Sequence, residues 1–439
     1  MDFFRNDREA VFVRRPNRFL IIARAGRGAG SGAGSEELAC HCPNPGRLIE
    51  FVFPGTRLIL EKRGDAEAVA GTKRGSAKTK TGWTAVGLYY RDTVAPLFSS
   101  RANKAAEELI LKEIIPGLKE IKAEYTLGDS RFDFLCIDAK KKKHLVEVKA
   151  CSLIEYGVAM FPDAPSGRAL KHLEELAELT KQGYCCHVLF VITHSDPAVF
   201  IPNLHTDPEF AAALDRLGRA AILPETAAGD KARKKAAAGA GGETKGQMPM
   251  ASAAGSGPGR TASAVTVHAA LLRCDSSGRT VLAAPALPVD LSHGKLAESN
   301  SGNYLMLLEL PLSRDIEVGA LGTIRFKAGW YVYAGSARKN LSQRLNRHLR
   351  RERKQKHWHF DYLTPYAGKI KALPIMSYRN LECDLARDLA GLGGKPIANF
   401  GSSDCGCGSH LYYFKKPPMG NREFVDMLLR YRHVEGLEK

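Results

Sequence analysis

The sequence predicts a multidomain α/β protein, for three reasons. Its 439 residues exceed what a single hydrophobic core normally serves, so two or three domains are expected. Short apolar runs separated by Pro and Gly turns in residues 1–100 predict a small β-barrel. Residues 101–192 follow the order helix, three strands, helix and strand, which predicts a mixed α/β domain extending to residue 292. A further α+β module is predicted at 299–420, followed by a C-terminal tail at 421–439.

Each element is predicted from apolar periodicity and from turn signals. The barrel strands are expected at residues 19–23, 48–53, 58–61 and 84–90. In the α/β domain Asn103 is expected to cap a helix at 104–114, and a second helix is expected at 170–182. Strands of that domain are predicted at 120–126, 131–137, 144–151, 186–193, 265–273 and 280–291. The C-terminal module is predicted to have strands at 303–309 and 330–334 and helices at 341–354 and 377–389.

Three segments of low complexity interrupt these patterns. Residues 26–35 are rich in Gly and Ala and are expected to form a hairpin tip, and residues 66–80 are expected to form a solvated loop. Residues 226–263 are rich in Ala, Gly and Lys and contain almost no large apolar side chain. Such a segment cannot bury a core, so we expect a disordered insert there.

Composition and charge indicate the cellular setting. The chain has 64 Lys and Arg against 47 Asp and Glu, a formal net charge of +17, which favours a polyanionic partner such as nucleic acid. The first 20 residues lack an apolar signal core, and the longest apolar run, at 185–193, is too short to span a bilayer. We expect a cytoplasmic protein whose ten cysteines are reduced thiols.

A first candidate site lies on the predicted strands of the α/β domain. Glu147 and Lys149 are two residues apart on one strand, so they point to the same face. Asp133 interrupts the apolar run 132–135, where a charge is costly without a purpose. If the two strands pair, Asp133 and Glu147 can converge on a divalent cation, for which their hard oxygens suit magnesium or manganese. Lys149 is then placed to orient a water or to stabilise charge on a phosphate.

Several unusual motifs in this half resemble the sugar fermentation stimulation protein family (SfsA). They are His-Cys-Pro-Asn-Pro-Gly-Arg-Leu at 41–48, Ser-Arg-Phe-Asp-Phe at 130–134, Val-Glu-Val-Lys at 146–149, Phe-Pro-Asp-Ala-Pro at 161–165 and Lys-His-Leu at 171–173. The resemblance covers about residues 1–292. It implies an N-terminal OB-like β-barrel, a PD-(D/E)XK nuclease-like domain and DNA binding.

The same resemblance implies further site residues. Glu108, in preference to Glu107, is expected to join the carboxylates from the preceding helix. Arg47, Arg131 and Lys171, within the matching motifs, are predicted to contact nucleic acid. Asp163, Lys171 and His172 are expected either to line the same cleft or, for the last two, to lie on the surface of a helix.

A second candidate site is predicted in the C-terminal module. Gly-Asn-Tyr at 302–304 and Tyr-Val-Tyr-Ala-Gly at 331–335, with Arg344 and His348 on one helical face and Glu382 on a later helix, resemble the GIY-YIG nuclease superfamily. The similarity covers about residues 299–420 and implies a GIY-YIG-like α+β fold. It also implies that Tyr304 or Tyr333 positions or deprotonates a water, that Arg344 stabilises phosphoryl charge and that Glu382 holds a divalent metal.

Two other features near this module allow alternatives. The basic segment 347–356 is either a phosphate-tracking face or a solvated helix end. Its predicted nucleic-acid contacts are His348 and the arginines Arg347, Arg350, Arg351 and Arg353. Cys405, Cys407 and His410 do not have the Cys-x2-Cys spacing of structural zinc sites, so the sequence favours reduced cysteines in turns over zinc.

Two functions remain open from the sequence. The first is a metal-dependent nuclease acting through Glu108, Asp133, Glu147 and Lys149, with the C-terminal module assisting or holding its own site. The second is a non-catalytic DNA-binding regulatory protein whose nuclease-like folds serve only as docking surfaces. Metal-dependent cleavage distinguishes the two.

Overall fold

The computed structural model describes residues 1–25, 36–63, 81–221, 264–351 and 355–438. The predicted hairpin tip at 26–35, the loop at 66–80, the disordered insert at 226–263 and Arg353 lie outside the described residues. Within the described ranges, no helix is both long enough and apolar enough to cross a membrane.

The N-terminal region is the small barrel that the sequence predicted. Its strands are β1 (Arg8–Asn17), β2 (Leu20–Ala25), β3 (Glu37–His41), β4 (Arg57–Lys62), β5 (Trp83–Tyr90) and β6 (Thr93–Pro96). They follow the order β3-β2-β1-β4-β5-β6, and an additional parallel pairing of β3 with β5 closes the sheet on itself. Alternate side chains of these strands, including Phe12, Ile21 and Leu58, form a separate hydrophobic core.

Two barrel predictions differ from the structure. The predicted strand at 48–53 is wrong, because Leu48 has a φ of +51° and the amide of Phe51 bonds back to its carbonyl, which makes this segment a turn. Strand β1 was not predicted, because three arginines and a glutamate mask its alternation of buried and exposed positions.

The central region is the predicted mixed α/β domain. It begins with a helix of three parts: α1 (Arg101–Ala105), a π-helical turn (Ala106–Ile110) and α2 (Leu111–Ile114). The remaining elements are β7 (Leu118–Leu127), β8 (Ser130–Asp138), β9 (Lys143–Cys151), β10 (Leu153–Glu155), β11 (Val158–Phe161), α3 (Gly167–Lys181), β12 (Cys185–Ile192), β13 (Val199–Pro202), α4 (Pro208–Leu217), β14 (Gly218–Ala220), β15 (Val265–Cys274) and β16 (Thr280–Ala284).

The sheet of this domain sets the frame for the first site. The strands follow the order β15-β12-β9-β8-β7, with β9 parallel to β12 and antiparallel to β8. Helix α3 packs on one face through Leu173 and Leu176, and the helix formed by α1 and α2 packs on the other through Ala105 and Leu111. Because both faces are covered, β9 is apolar along most of its length, and a buried carboxylate within it stands out. One pair between β6 and β15 makes the barrel continuous with this sheet.

The C-terminal region is an α+β module around an antiparallel sheet. Its elements are α5 (Gly294–Ser299), β17 (Gly302–Leu310), β18 (Arg314–Glu317), β19 (Thr323–Phe326), β20 (Gly329–Ala337), α6 (Leu341–Leu349), β21 (Lys369–Met376), α7 (Glu382–Gly391), β22 (Lys395–Pro396), β23 (Leu411–Phe414) and α8 (Arg422–Arg430). The main sheet follows the order β21-β17-β20-β23-β22.

The ends of the predicted helices differ in this module. The helix expected at 341–354 ends at Leu349, because Arg350 is extended with a ψ of 131°. The helix expected at 377–389 begins only at Glu382. Residues 421–439, expected to be a tail, include α8, whose Phe424 and Leu428 pack in one core with Leu307 of β17 and Met160 of the central domain. This shared core joins the C-terminal module to the rest of the chain.

Candidate active site

Asp133 lies where strands β8 and β9 separate. The ladder between them runs from Ile137 opposite Lys143 to Phe134 opposite Val146, and Asp133 is the next residue of β8. Its Oδ2 accepts a hydrogen bond of 2.7 Å from the backbone amide of Val148, and its Oδ1 accepts one of 2.7 Å from Nδ2 of Asn103 on α1. The Asp133 carboxylate therefore connects β9 to the first helix of the domain.

Glu147 is the buried carboxylate of the site, with 3% of its surface exposed. Its Oε1 is held by two neighbours: the ammonium of Lys149 contacts it, and Nδ1 of His172 on α3 lies 2.6 Å away. Among the described residues its Oε2 is buried and has no hydrogen-bond partner. A buried carboxylate oxygen without a partner is costly, so this atom marks a place where a cation or donor belongs.

The two carboxylates have opposite pKa shifts. Burial and the nearby charge of Glu147 raise the pKa of Asp133 above its usual value. Burial on its own would raise the pKa of Glu147 as well, but the hydrogen bond from His172 and the charge of Lys149 outweigh it and lower that pKa. Glu147 is thus ionised at neutral pH and repels a second negative charge at Asp133. A divalent cation between such hard oxygen donors relieves the repulsion, so the residues fit a hard divalent metal ion.

A cavity of about 240 Å³ lies between the barrel and the central domain, lined by neighbours of the two carboxylates but not by Asp133 or Glu147 themselves. Asn103, Val148 and Lys149 line it from the central domain, and Asn44 and Gly46 line it from the barrel. The loop that carries Asn44 and Gly46 is thus the wall that the barrel contributes to the site.

Polar contacts hold this loop to the rest of the barrel on one side and to the central domain on the other. The guanidinium of Arg15 donates to the carbonyl oxygens of Asn44 and Gly46 at 2.9 and 2.8 Å. Asp163 accepts the amide of Arg47 at 2.8 Å. A Cβ at Gly46 would overlap the Asp163 carboxylate, which explains why a glycine stands there. Two of the sequence motifs, at 41–48 and 161–165, therefore meet at the cavity.

Some of the other residues predicted for this site lie in it, and others do not. Glu108 pairs with Lys104 at 3.5 Å and points to solvent, and it is Asn103 that reaches Asp133 from this helix. Asn103 is not the helix cap that the sequence predicted, because the helix begins at Arg101. His172, for which a surface position was the alternative, is buried in the site.

The predicted nucleic-acid contacts of this half are exposed at the surface. The guanidinium of Arg131 pairs with Glu124 at 3.7 Å, and the ammonium of Lys171 pairs with Glu175 at 3.5 Å. Both pairs are solvated and therefore weak. The side chain of Arg47 is also exposed, so all three remain accessible to a phosphate backbone.

The second predicted site forms where β17 and β20 lie side by side. Tyr304 is opposite Gly335, and Tyr333 is opposite Met306, so the two tyrosine rings share one face with their centroids 6.4 Å apart. A Cβ at Gly335 would overlap the Tyr304 ring. Burial raises the pKa of both tyrosine hydroxyls above its usual value, so neither is a ready base in this conformation.

Arg344 and Glu382 complete this second cluster. Arg344 donates to the carbonyl oxygen of Ser336 at 2.7 Å and lies over the ring of Trp358 at 4.6 Å. Glu382 accepts the hydroxyl of Ser336 at 2.5 Å through Oε2 and contacts Nδ1 of His410 at 2.9 Å through Oε1. Since the charges of Arg344 and Glu382 both act on the Tyr304 hydroxyl, the predicted residues of this module do converge.

The nucleic-acid contact predicted for His348 is contradicted. The side chain of His348 is fully buried, its Nε2 lies 3.1 Å from the hydroxyl of Tyr304, and its Nδ1 lies 3.5 Å from Asp361. Its imidazole therefore positions the tyrosine inside the domain and does not face a ligand in solvent.

The arginines that follow divide into two kinds. Arg347 is engaged within the chain, donating to the carbonyl oxygen of Gln355 at 2.6 Å and to Asp361 at 3.0 Å. Arg350 and Arg351 are exposed, and Arg351 donates to the carbonyl oxygen of Gly368 at 3.0 Å. Arg350 and Arg351, like the exposed Lys356, are within reach of a phosphate without rearrangement.

Three family models match successive parts of the chain. The SfsA N-terminal OB domain matches residues 13–95, the sugar fermentation stimulation protein RE domain matches 100–223, and a domain of unknown function, DUF123, matches 303–432. The predicted fold class is confirmed as an OB-like barrel, a mixed α/β domain and a C-terminal α+β module.

Relatives of known sequence are similar over the first two regions. A sugar fermentation stimulation protein homolog of Desulfitobacterium hafniense is 36% identical over 211 residues, covering 48% of this chain and 84% of the relative. A homolog of Clostridium botulinum is 38% identical over 212 residues, covering 47% and 82%. One from Pyrobaculum neutrophilum is 36% identical over 217 residues, covering 49% and 84%.

Two solved structures are also similar. SfsA of Pyrococcus furiosus, in complex with Ca²⁺, has a TM-score of 0.45 and 24% identity, covering 66% of this chain and 99% of that one. A repair endonuclease from Pyrococcus abyssi has a TM-score of 0.17 and 12% identity, covering 47% and 84%.

Proposed function

The chain belongs to the sugar fermentation stimulation protein family, and from this premise we propose that it binds DNA and hydrolyses phosphodiester bonds with a magnesium or manganese ion held by Asp133 and Glu147. The observation that carries the proposal is the buried Oε2 of Glu147, which has no hydrogen-bond partner among the described residues. The negative charge of Glu147 acts on Asp133, which lies on the neighbouring strand β8. We assign the central domain to the PD-(D/E)XK nucleases and the C-terminal module to the GIY-YIG type, with boundaries near residues 100 and 299.

The residues around the carboxylates have distinct tasks in this proposal. When bound, a divalent cation supplies Lewis acidity and lowers the pKa of a coordinated water. Asn103 and the amide of Val148 fix the orientation of Asp133. His172 holds Oε1 of Glu147, so that Oε2 stays directed away from it. A ligand carboxylate oriented by such neighbours loses less entropy on binding a metal.

Lys149 supplies the positive charge for the phosphate. Its ammonium contacts Oε1 of Glu147 and carries further N–H donors for a phosphate oxygen or a water. It lines the adjoining cavity, as Asn103 does, so a phosphate at the cavity would meet it directly. A fixed ammonium next to developing negative charge stabilises a transition state more than a ground state.

The proposal that the partner is DNA is supported by the net charge of the chain and by exposed basic residues. The net charge of +17 favours phosphate binding, and the exposed Arg47, Arg131 and Lys171 belong to the same half of the chain as the carboxylates. We place the protein in the cytoplasm, where thiols stay reduced, since all ten cysteines are free thiols.

A non-catalytic alternative is favoured by one contact. The ion pair between Lys149 and Glu147 already neutralises one carboxylate, as expected if the site serves only to hold the fold. On that alternative the chain binds DNA through its basic surface without turnover. We favour the nuclease because the contact involves only Oε1 of Glu147, which leaves Oε2 available for a cation.

The experiment that decides is cleavage by the full chain of supercoiled and linear double-stranded DNA, single-stranded DNA and RNA, each with Mg²⁺, Mn²⁺ or EDTA. We expect cleavage with a divalent metal, reduced to the EDTA level by Glu147→Gln. The matched control is Glu178→Gln, an exposed glutamate on α3 that pairs with Lys181. Binding to DNA with no metal-dependent cleavage of any substrate would overturn the nuclease proposal in favour of the alternative.

A further inference from the structure

Four potential metal ligands meet at the edge of the C-terminal sheet. They are Cys383, in the first turn of α7, and Cys405, Cys407 and His410, in the loop between β22 and β23. Their three sulfur atoms and one imidazole nitrogen all lie within 4.8 Å of one another. We propose that these four side chains bind one structural zinc ion.

The distances fit the geometry that zinc requires. In a tetrahedral site with Zn–S bonds of about 2.3 Å, neighbouring ligand atoms are about 3.8 Å apart. Nε2 of His410 lies 3.4 Å from the sulfur of Cys405 and 4.0 Å from that of Cys383. A set of three cysteines and one histidine is one of the ligand sets of closed structural zinc sites.

The histidine is oriented as a zinc ligand would be. Its Nδ1 contacts Oε1 of Glu382 at 2.9 Å, so the proton on that nitrogen is held by a carboxylate and Nε2 faces the sulfurs. A carboxylate behind the histidine is the usual arrangement at protein zinc sites, because it fixes the tautomer and the ring.

The loop that carries Cys405 and Cys407 has no apolar side chain of its own. Residues 401–409 read Gly-Ser-Ser-Asp-Cys-Gly-Cys-Gly-Ser and contain no aliphatic or aromatic side chain. Short segments without a hydrophobic core of their own commonly rely on a metal or a disulfide. A zinc ion would tie this loop to α7 and would fix Glu382 beside Tyr304 and Arg344.

The site was not found from sequence because its fourth ligand is distant. Cys405 and Cys407 alone have the wrong spacing, and Cys383 precedes them by a helix and a strand. Only the packing of α7 against β20 and β23 brings Cys383 to the loop.

The test is the metal content of the full chain purified without added metal. We expect about one zinc per chain, and after exchange with Co²⁺ an intense visible absorption typical of tetrahedral thiolate coordination. Cys383→Ser and Cys407→Ser are expected to lose both signals, and the matched control Cys185→Ser, outside the cluster, is expected to keep them.

The readouts on the wild-type chain do not depend on whether a variant folds. Absence of zinc together with absence of a cobalt spectrum would overturn the proposal. So would iron in place of zinc, or a disulfide among the three cysteines in freshly purified protein. Because none of these measurements involves DNA, they are independent of the proposed nuclease activity.

Discussion

The carboxylate site of the central domain and the tyrosine site of the C-terminal module differ in how far their polar atoms are satisfied within the chain. In the first, Oε2 of Glu147 is buried without a partner among the described residues. In the second, the Tyr304 hydroxyl has His348, and both oxygens of Glu382 have donors. The first site is therefore prepared for a cation, while the second is closed on itself.

The difference predicts different consequences of mutation. Removing one member of a closed, buried network leaves its partners unsatisfied and costs stability. Removing a neighbour of an open site affects what the site binds, and costs less stability because the site was not fully satisfied at the start. The predictions below separate these outcomes.

The largest effect is expected for His348→Ala. His348 is fully buried between Tyr304 and Asp361, so its loss removes a partner of the Tyr304 hydroxyl and empties the space between the two residues. Truncating a large buried side chain and removing a hydrogen-bond partner inside the domain together cost about 3 to 5 kcal/mol. Urea unfolding of the full chain measures it, with the exposed His357→Ala as control. Equal stability of the two variants would show that the second site is not a closed network.

The two sites also differ in how much of them the sequence predicts. Strand periodicity placed Glu147 and Lys149 on one face, and the structure shows them in contact. The same reasoning could not find Asn103 or His172, because their role depends on how α1 and α3 pack across the two faces of the sheet. A side chain that reaches a site from another layer leaves no periodic signal in its own element.

The turn at residues 48–53 could not be predicted from the sequence for a related reason. Residues 48–53 have the composition of a strand, but the positive φ of Leu48 turns the chain where the loop meets the central domain. Tertiary contacts at Asn44 and Gly46 decide that turn. Strands β8 and β9 were predicted well because their apolar runs are long and buried on both faces.

A second, somewhat smaller effect is expected on the free energy of unfolding when the pH is lowered. His144, His187 and His268 form a chain across β9, β12 and β15 with contacts of 3.0 Å, and burial lowers the pKa of His268 to about 4. Above about pH 6.5 both folded and unfolded states carry the neutral imidazole. Between about 6.5 and 4 only the unfolded state takes up the proton, so stability falls as the pH falls, by about 3 kcal/mol in order of magnitude.

Unfolding free energies measured from pH 7.5 to 4.5 check this dependence. His268→Gln should flatten the curve, and the exposed His357→Gln should leave it unchanged. His144, at one end of this row of histidines, lies on strand β9 together with Glu147, so the measurement tests whether a closed network and an open site coexist on one strand. If the stability of His268→Gln depended on pH as steeply as that of the wild type, the pH dependence could not be assigned to His268.

His172→Gln is expected to have a smaller effect, and this effect is on the affinity for the cation and not on the stability of the fold. The imidazole holds Oε1 of Glu147 from outside the site, and loss of such a supporting contact typically costs 10- to 100-fold in metal affinity or activity, or about 1.4 to 2.7 kcal/mol. Titration with Mn²⁺ and the metal concentration for half-maximal cleavage measure it. His172→Asn, which places an amide nearer the backbone, tests whether reach matters. If His172→Gln lost as much stability as His348→Ala and kept the Mn²⁺ affinity of the wild type, the carboxylate site would not be more open than the tyrosine site.

The smallest expected effect concerns the surfaces around the two sites. Arg131 near the first site and Arg350 near the second are both exposed, and each phosphate contact contributes about 0.9 to the slope of log affinity against log salt for duplex DNA. If both modules lie along the same duplex, Arg131→Ala and Arg350→Ala should each lower the slope by about that amount. Arg325→Ala, an exposed arginine paired with Asp315 on the hairpin of β18 and β19, should not. A change for Arg131→Ala alone would mean that DNA follows the open site only, and that the closed site of the C-terminal module acts without the same duplex.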